Sequence, residues 1–293
     1  MRNYRIWEAN AGQKAGFSAY LVRLLGQIHE LNRDYKIYDN NEPVWIDWIS
    51  WPDPSGDNYH EGGNMSEINS WDYWFDNPIK TDWALDSIRK EPYTWVTTSG
   101  LYHGYPNNQL ILWENKDLIL DVGRYAERYF VPRKDILDSL DKDIQKYKTL
   151  AVHCRRSDLD WAHPNLRLGF SEEDYFNNAM KIFKEGGFEK IYLSTEEYKI
   201  YDYFMERIPE LILCQHDCYR VSQNESPVLN LNLKVRDLHR YLTGKEVLID
   251  ILNMSKCHSL LCYISGVANM ATFFNNGRFE NIYYHHYVKN QIA

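Results

Sequence analysis

The sequence predicts an α/β chain of two domains, and three observations predict it. The length, 293 residues, suits two domains of about 150 residues each, with the boundary between 147 and 148. The chain opens with the order strand, glycine loop, helix, strand. Its later half repeats a pattern of short apolar runs that end in polar residues and lead into helices. Strands alternating with helices in this way signal an α/β fold with a parallel sheet.

Tyr4 to Ala9 reads as the first strand, and Ala11-Gly-Gln-Lys-Ala-Gly16 as the loop after it. Phe17, Tyr20, Leu21, Leu24, Leu25, Ile28 and Leu31 then recur at three- and four-residue steps, which is one apolar face of a helix. Lys36 to Tyr38 and Val44 to Ile49 read as strands. From Trp51 to Trp83 the chain is loop-like, interrupted by Pro52, Pro54, Gly56, Gly62, Gly63 and Pro78. Six of the ten tryptophans fall between Trp45 and Trp83, which argues against disorder in so long a loop. The stretch is either a sugar-binding surface, because an aromatic face covers the C–H face of a pyranose, or a packed irregular core. Tyr93 to Thr98 and Leu110 to Trp113 follow as strands. Helical spacing returns over Val122 to Tyr129, and over Arg133 to Tyr147 behind Pro132.

The second half opens on a strand, Thr149 to Cys154, that stops at His153-Cys-Arg-Arg-Ser-Asp158. Arginine is permanently charged and forked, so a pair at a strand's carboxyl end can grip a diphosphate bidentately, where open α/β sheets place their ligands. Ser171-Glu-Glu-Asp174 is a helix start, Gly186-Gly187 the stop. Phe188 to Leu193 is the next strand, ending in Ser194-Thr-Glu-Glu197. A helix from Lys199 to Arg207 halts before Pro209, and Leu211 to Cys214 is a short strand. Tyr219 to Leu242 is polar and irregular, either a loop that closes over substrate or a surface excursion. From Gly244 a helix leads into a buried strand, then to a break at Ser265-Gly266 and a last helix from Val267 to Phe274. The first N–H groups of that helix have no internal partner, so the break is suited to an anion.

A formal charge of −8 argues against nucleic acid as the main partner. No apolar run approaches the ~18 residues of a membrane span, and Met1 to Glu8 carries charges with no apolar stretch behind them. The expectation is therefore no signal peptide, no anchor and a cytoplasmic location. The five cysteines include no C-x-x-C pair, so reduced thiols are expected. Cys214-x-His216-x-Cys218 matches none of the usual structural zinc patterns.

His153-Cys-Arg-Arg-Ser-Asp158 resembles the H-x-R-R-x-D motif of the fucosyltransferase superfamily. Gly244 to Gly266 is similar to that superfamily's carboxyl-terminal motif, an acid-bearing helix leading to a strand and a Ser-rich turn. Gly16-Phe17 is similar to the G-F element that starts its first helix. The resemblance covers mainly residues 149 to 275. It implies a GT-B architecture, two Rossmann-like domains facing across a cleft, with acceptor on the first and donor on the second. The implied activity is inverting, metal-independent transfer of L-fucose from GDP-fucose to a glycan hydroxyl, with no cofactor beyond the nucleotide sugar.

By the same resemblance Arg155 holds the β-phosphate, Arg156 supports it, and His153 packs against or hydrogen-bonds the donor. Glu196, Glu197 and Asp250 contact base, ribose or sugar, and Ser265 with the Gly266 and Val267 amides forms the phosphate turn. Gly16, Phe17, Trp48 and Trp51 are the acceptor-side candidates. Two departures fall on donor-contacting positions: the usual Asp-Asp pair is Glu196-Glu197, and Gly266 stands where Ser is common. They leave open another donor such as UDP-xylose, while a sugar-binding protein without catalysis is the alternative from a different class. For the general base, Asp158, Asp160 and His163 lie in the loop after the arginines. Asp160 is taken as the base and Asp158 as the residue that holds an arginine in place. Asp158-Leu-Asp160 also spells D-x-D, a manganese pattern, but the arginine pair makes a metal redundant for neutralising the diphosphate.

Overall fold

The computed structural model describes residues 4–9, 17–42, 44–49, 70–76, 116–155, 170–222, 235–263 and 265–285. Strands β1 (Tyr4–Ala9) and β2 (Val44–Ile49) pair in parallel, with Tyr4 opposite Val44 and Ala9 opposite Ile49. A parallel pair needs a crossover, and helix α1 (Phe17–Tyr35) supplies it. The whole expected apolar face of α1, from Phe17 to Leu31, is buried. Lys36 to Tyr38 is a turn rather than the expected strand. Lys36 takes a left-handed φ of 57°, and the Asn32 side chain accepts the Tyr38 N–H at 2.8 Å, closing the chain on the helix end.

The aromatic stretch enters the described residues at 70–76, and there it is core. Trp71 and Trp74 are both fully buried, Trp71 stacking on Phe75 at 4.2 Å and meeting Phe130 edge-on at 4.7 Å. A short antiparallel pair, β3 (Phe75–Asp76) with β4 (Val131–Pro132), ties this segment to the end of helix α2 (Lys116–Tyr129). The helix expected over Arg133 to Tyr147 is cut to α3 (Lys134–Asp138). Behind it the Asp141 carboxylate accepts the Asp143 N–H at 2.8 Å, and the Asp141 N–H goes to the Asn253 side chain at 3.1 Å. Aspartate holding its own backbone two residues on is a turn-former that competes with the helix. The strands expected at 93–98 and 110–113 lie outside the described residues.

The main sheet is parallel throughout: β5 (Thr149–Cys154), β6 (Lys190–Thr195), β7 (Ile212–Leu213), β8 (Ser259–Cys262) and β9 (Ile282–Tyr284), in the order β7-β6-β5-β8-β9. Helices α4 (Glu172–Gly186) and α5 (Tyr198–Arg207) link β5, β6 and β7. Helix α6 (His239–Met254) carries the chain back to β8, and α7 (Gly266–Asn275) leads to β9. Side chains alternate faces along a strand, and the two faces are filled differently. Leu150, Val152 and Cys154 pack with Tyr175, Ala179 and Ile182 of α4. Ala151, Tyr192, Leu260 and Cys262 pack with Met254, Ala268 and Ala271 from α6 and α7.

The start of α4 is the expected capping box, with Asp174 N–H on Ser171 Oγ at 3.1 Å and Ser171 N–H on Asp174 Oδ2 at 2.9 Å. Its end uses Gly187 at φ 60° and a bond from Phe188 N–H to the Phe183 carbonyl at 3.1 Å. That closure occupies Phe188, so β6 begins at Lys190 rather than at Phe188. A third core joins α1, β2, Trp71, Trp74 and α2 to Leu248, Ile249, Ile251 and Leu252 of α6, and to Met270 and Phe273 of α7. Among the described residues no helix is long and apolar enough to cross a membrane.

Candidate active site

Strand order reverses at β5: the chain builds outward to β7, then returns to place β8 on β5's other side. Ligands of open parallel sheets sit outside the carboxyl ends of the strands at such a switch point. Arg155 follows β5 directly, and Ser265 lies just beyond the end of β8. The register sets His153 opposite Ser194 of β6 and Cys262 of β8.

Arg155 is partly exposed, and its backbone is held from below. The Tyr175 hydroxyl donates to the Arg155 carbonyl at 2.8 Å. Tyr175 is itself immobilised, 1% exposed, with its ring 5.4 Å from Phe170 and edge-on to His285 at 4.6 Å.

His153 is buried, and its Nδ1 lies 3.3 Å from Ser194 Oγ. Ser194 Oγ donates to Asp250 Oδ2 at 2.8 Å, and the Tyr192 hydroxyl to Asp250 Oδ1 at 2.7 Å. Gln215 Nε2 donates to the same Oδ1 and, at 2.8 Å, to the Glu246 carbonyl. Asn253 Nδ2 donates to the Tyr192 oxygen at 3.0 Å. Burial pushes the Asp250 carboxyl up from its ordinary range, opposed by its three hydrogen-bond donors and by the Arg220 guanidinium. The Tyr192 phenol is pushed well above its ordinary range, first by burial and then by the Asp250 charge.

Around this polar network lies a second ring of charge. Arg220 is buried, its guanidinium 4.0 Å above the Tyr201 ring and bonded to the Gln215 carbonyl at 2.6 Å. Arg236 grips Glu246 bidentately at 2.6 and 2.7 Å, and Glu246 also accepts the Tyr219 N–H at 3.2 Å.

The Ser265 hydroxyl caps α7, accepting the Ala268 N–H at 3.1 Å. The amides of Gly266 and Val267 occupy the first turn, where helix geometry gives them no internal partner. Gly266 sits against α1 so closely that a Cβ there would lie 2.7 Å from Ser18 Oγ.

Of the acidic pair after β6, Glu196 is partly exposed, whereas Glu197 has no exposed surface. The ladder continues past the strand here, with Val221 N–H on the Glu196 carbonyl at 2.7 Å and Tyr198 N–H on the Val221 carbonyl at 3.2 Å. The two members of the expected pair are thus unlike: the Glu196 side chain has exposed surface and the Glu197 side chain has none. Phe17 is 1% exposed and packs edge-on against Trp74 at 4.9 Å, so its ring belongs to the core. Trp48 contributes backbone to β2 opposite Glu8. Gly16, Trp51, Arg156, Asp158, Asp160 and His163 lie outside the described residues.

The sequence reading missed Tyr192, Ser194, Gln215, Asn253 and Tyr175. A signal was present for two of them: Tyr192 and Ser194 are polar at two-residue spacing in a strand whose alternate positions, Ile191 and Leu193, are apolar. No group of three or more His, Cys, Asp or Glu side chains among the described residues is arranged to hold a metal ion. Cys214 Sγ lies 3.6 Å from His216 Nδ1, while Cys218 Sγ turns to the Gln215 carbonyl at 3.3 Å. Burial pushes these thiols up, to about 11 at Cys214 and about 12 at Cys218. All five cysteines are free thiols.

Fold and switch point together define the class: this is an α/β chain of GT-B type. Its likeness is to solved fucosyltransferases. NodZ α-1,6-fucosyltransferase co-crystallised with GDP is 13% identical, with 92% of each chain covered and a TM-score of 0.52. NodZ soaked with GDP-fucose is also 13% identical, covering 93% of each chain with a TM-score of 0.52. Fucosyltransferase NodZ from Bradyrhizobium is 13% identical over 92% of each chain, with a TM-score of 0.51. No family model and no curated protein sequence matches the chain.

Proposed function

We propose that the chain is an inverting glycosyltransferase that moves L-fucose from GDP-fucose to a glycan hydroxyl without a metal ion. The observation that carries this reading is Arg155, pinned at the carboxyl end of β5 at the switch point of a sheet whose fold is shared with NodZ. Glycosyl transfer needs a cradle for the leaving diphosphate, a base for the acceptor hydroxyl and shelter from water.

In this reading Arg155, supported by Arg156, neutralises the diphosphate as the glycosidic bond breaks, and the Gly266 and Val267 amides add hydrogen bonds to its oxygens. Asp250 and Glu196 contact the nucleotide or the sugar. Three donors occupy Asp250 and burial encloses most of it, but Oδ2 accepts only one of them, leaving a lone pair for a ligand. Asp160 takes the acceptor proton and Asp158 holds an arginine. The acceptor lies on the side of residues 1–147, near Gly16, Trp48 and Trp51, with the Phe17 ring fixing the start of α1 from within the core. Glu196-Glu197 in place of two aspartates keeps a different donor, such as UDP-xylose, as the second reading.

Calorimetric titration of GDP against UDP in EDTA, on wild type and Arg155→Ala, tests this. Metal-free GDP binding that weakens tenfold or more in the variant is expected, because one hydrogen bond to a charged group is worth about 1.5–3 kcal/mol. Preference for UDP would replace the donor. Binding of neither nucleotide would overturn the reading.

A further inference from the structure

Hydrogen-bond polarity runs in one direction through the network behind His153, because both of its amides are anchored by backbone groups. A backbone N–H can only donate, so Asn253 must present its oxygen to Asp141 N–H and therefore its NH₂ to Tyr192. A carbonyl can only accept, so Gln215 must present its NH₂ to Glu246 and to Asp250. Tyr192 receives a proton from Asn253 and has one of its own, which goes to Asp250 Oδ1. Oδ1 thus accepts twice and cannot carry a proton. In its ionised form Asp250 also accepts from Ser194 at Oδ2, which uses the one proton Ser194 has. The Ser194 oxygen can then only accept from its other neighbour, His153 Nδ1.

We infer that Asp250, acting through Ser194, is a positioning residue that locks the neutral His153 ring as the Nδ1–H tautomer, so that Nε2 is its acceptor atom. Ring orientation is fixed by the same bond, since Nδ1 is held over β6 at the position opposite Ser194. An imidazole two residues before Arg155 is thereby committed to accepting a hydrogen bond, from a hydroxyl or N–H group, rather than donating one. This consequence for a bound nucleotide sugar rests on the proposed function; the tautomer does not.

The isosteric Asp250→Asn substitution has a determined effect. Two donors converge on the Oδ1 position and one on Oδ2, so the amide oxygen takes the former and the amide nitrogen the latter. The nitrogen donates to Ser194, Ser194 must donate to His153 Nδ1, and the proton of the ring moves to Nε2. Ring ¹⁵N spectra of histidine-labelled protein at neutral pH, with His153 assigned by its loss in His153→Gln, measure this directly. The expected result is an N–H signature at Nδ1 in the wild type and at Nε2 in Asp250→Asn. A wild-type ring with its proton on Nε2, or a folded Asp250→Asn ring still protonated at Nδ1, would overturn the lock. GDP is then added to the wild type, and a shift of the His153 signals is expected. An Nδ1–H ring that GDP leaves unmoved would overturn the donor-site reading while the lock stands.

Discussion

The contact between Gly266 and Ser18 joins the first turn of α7 to the first turn of α1, and replacing Gly266 by Ala tests how tightly. A Cβ at 266 would lie 2.7 Å from Ser18 Oγ, 3.2 Å from Ser18 Cβ and 3.3 Å from Ala19 N. Ser18 is 8% exposed, so its hydroxyl has little room to swing away. Two effects of opposite sign compete. Alanine is the better helix former by about 1 kcal/mol, whereas overpacking costs about 1–3 kcal/mol. With the nearest contact at 2.7 Å, the overpacking falls in the upper part of that range, about 2–3 kcal/mol, and the net loss is about 1–2 kcal/mol. Urea unfolding followed by circular dichroism would show this as a midpoint lower by roughly 0.5–1 M, for a slope of about 2 kcal/mol/M. Ser18→Gly removes the two nearest atoms and leaves Ala19 N at 3.3 Å, so in that background Gly266→Ala is expected to be neutral or stabilising by up to about 1 kcal/mol. The double-mutant coupling is therefore about 1–3 kcal/mol. Additive effects, or a neutral Gly266→Ala with Ser18 intact, would refute the close approach of the two helix starts.

Tyr175→Phe removes only the hydroxyl that holds the Arg155 carbonyl. The expected outcome is a stability loss of about 1 kcal/mol and GDP binding weaker by about fivefold, with no further weakening when Arg155 is already Ala; an undiminished effect in that background would show that Tyr175 acts elsewhere. The raised carboxyl of Asp250 gives a pH signature of definite sign. The native state holds its proton more tightly than the unfolded chain does, so the contribution to stability is full below the unfolded value of 3.8 and is lost as pH rises through the higher native value. The stability of wild type relative to Asp250→Asn is therefore expected to fall across that window in denaturant titrations at successive pH values, and a difference that grows with pH would refute the buried-carboxyl assignment.

What was legible in the sequence follows local rules. The apolar face of α1, the Ser171–Asp174 cap and the strand from Thr149 to Cys154 are each set by neighbours a few residues away, and each is found in the structure. The misread segments depend on distant partners. The helix behind Pro132 stops where Asp141 finds the Asn253 side chain, 112 residues on. Trp71 and Trp74 were equally compatible with a sugar surface and a core, because composition does not say which side of an aromatic ring faces water. Glu196 and Glu197 read as one acidic pair, yet the bridge to Val221 turns the first outward and encloses the second. Asp250 is marked by the resemblance alone, as the acid of the helix before β8. Which groups would satisfy it required the fold.

The core beneath α1 is assembled from two widely separated parts of the chain, and this has a consequence for how the protein is made. Synthesis delivers α1, Trp71, Trp74 and α2 more than a hundred residues ahead of the ones that cover them, Leu248, Ile249, Ile251 and Leu252 of α6 and Met270 and Phe273 of α7. Contacts of such long sequence separation form slowly, because chain closure precedes any stabilisation they bring. The nascent amino-terminal half must therefore wait with an uncovered apolar face, a state on which chaperones act and in which proteolysis is easiest. A ribosome that stops before α6 releases a chain that lacks its own closing pieces, whatever the quality of the half already made.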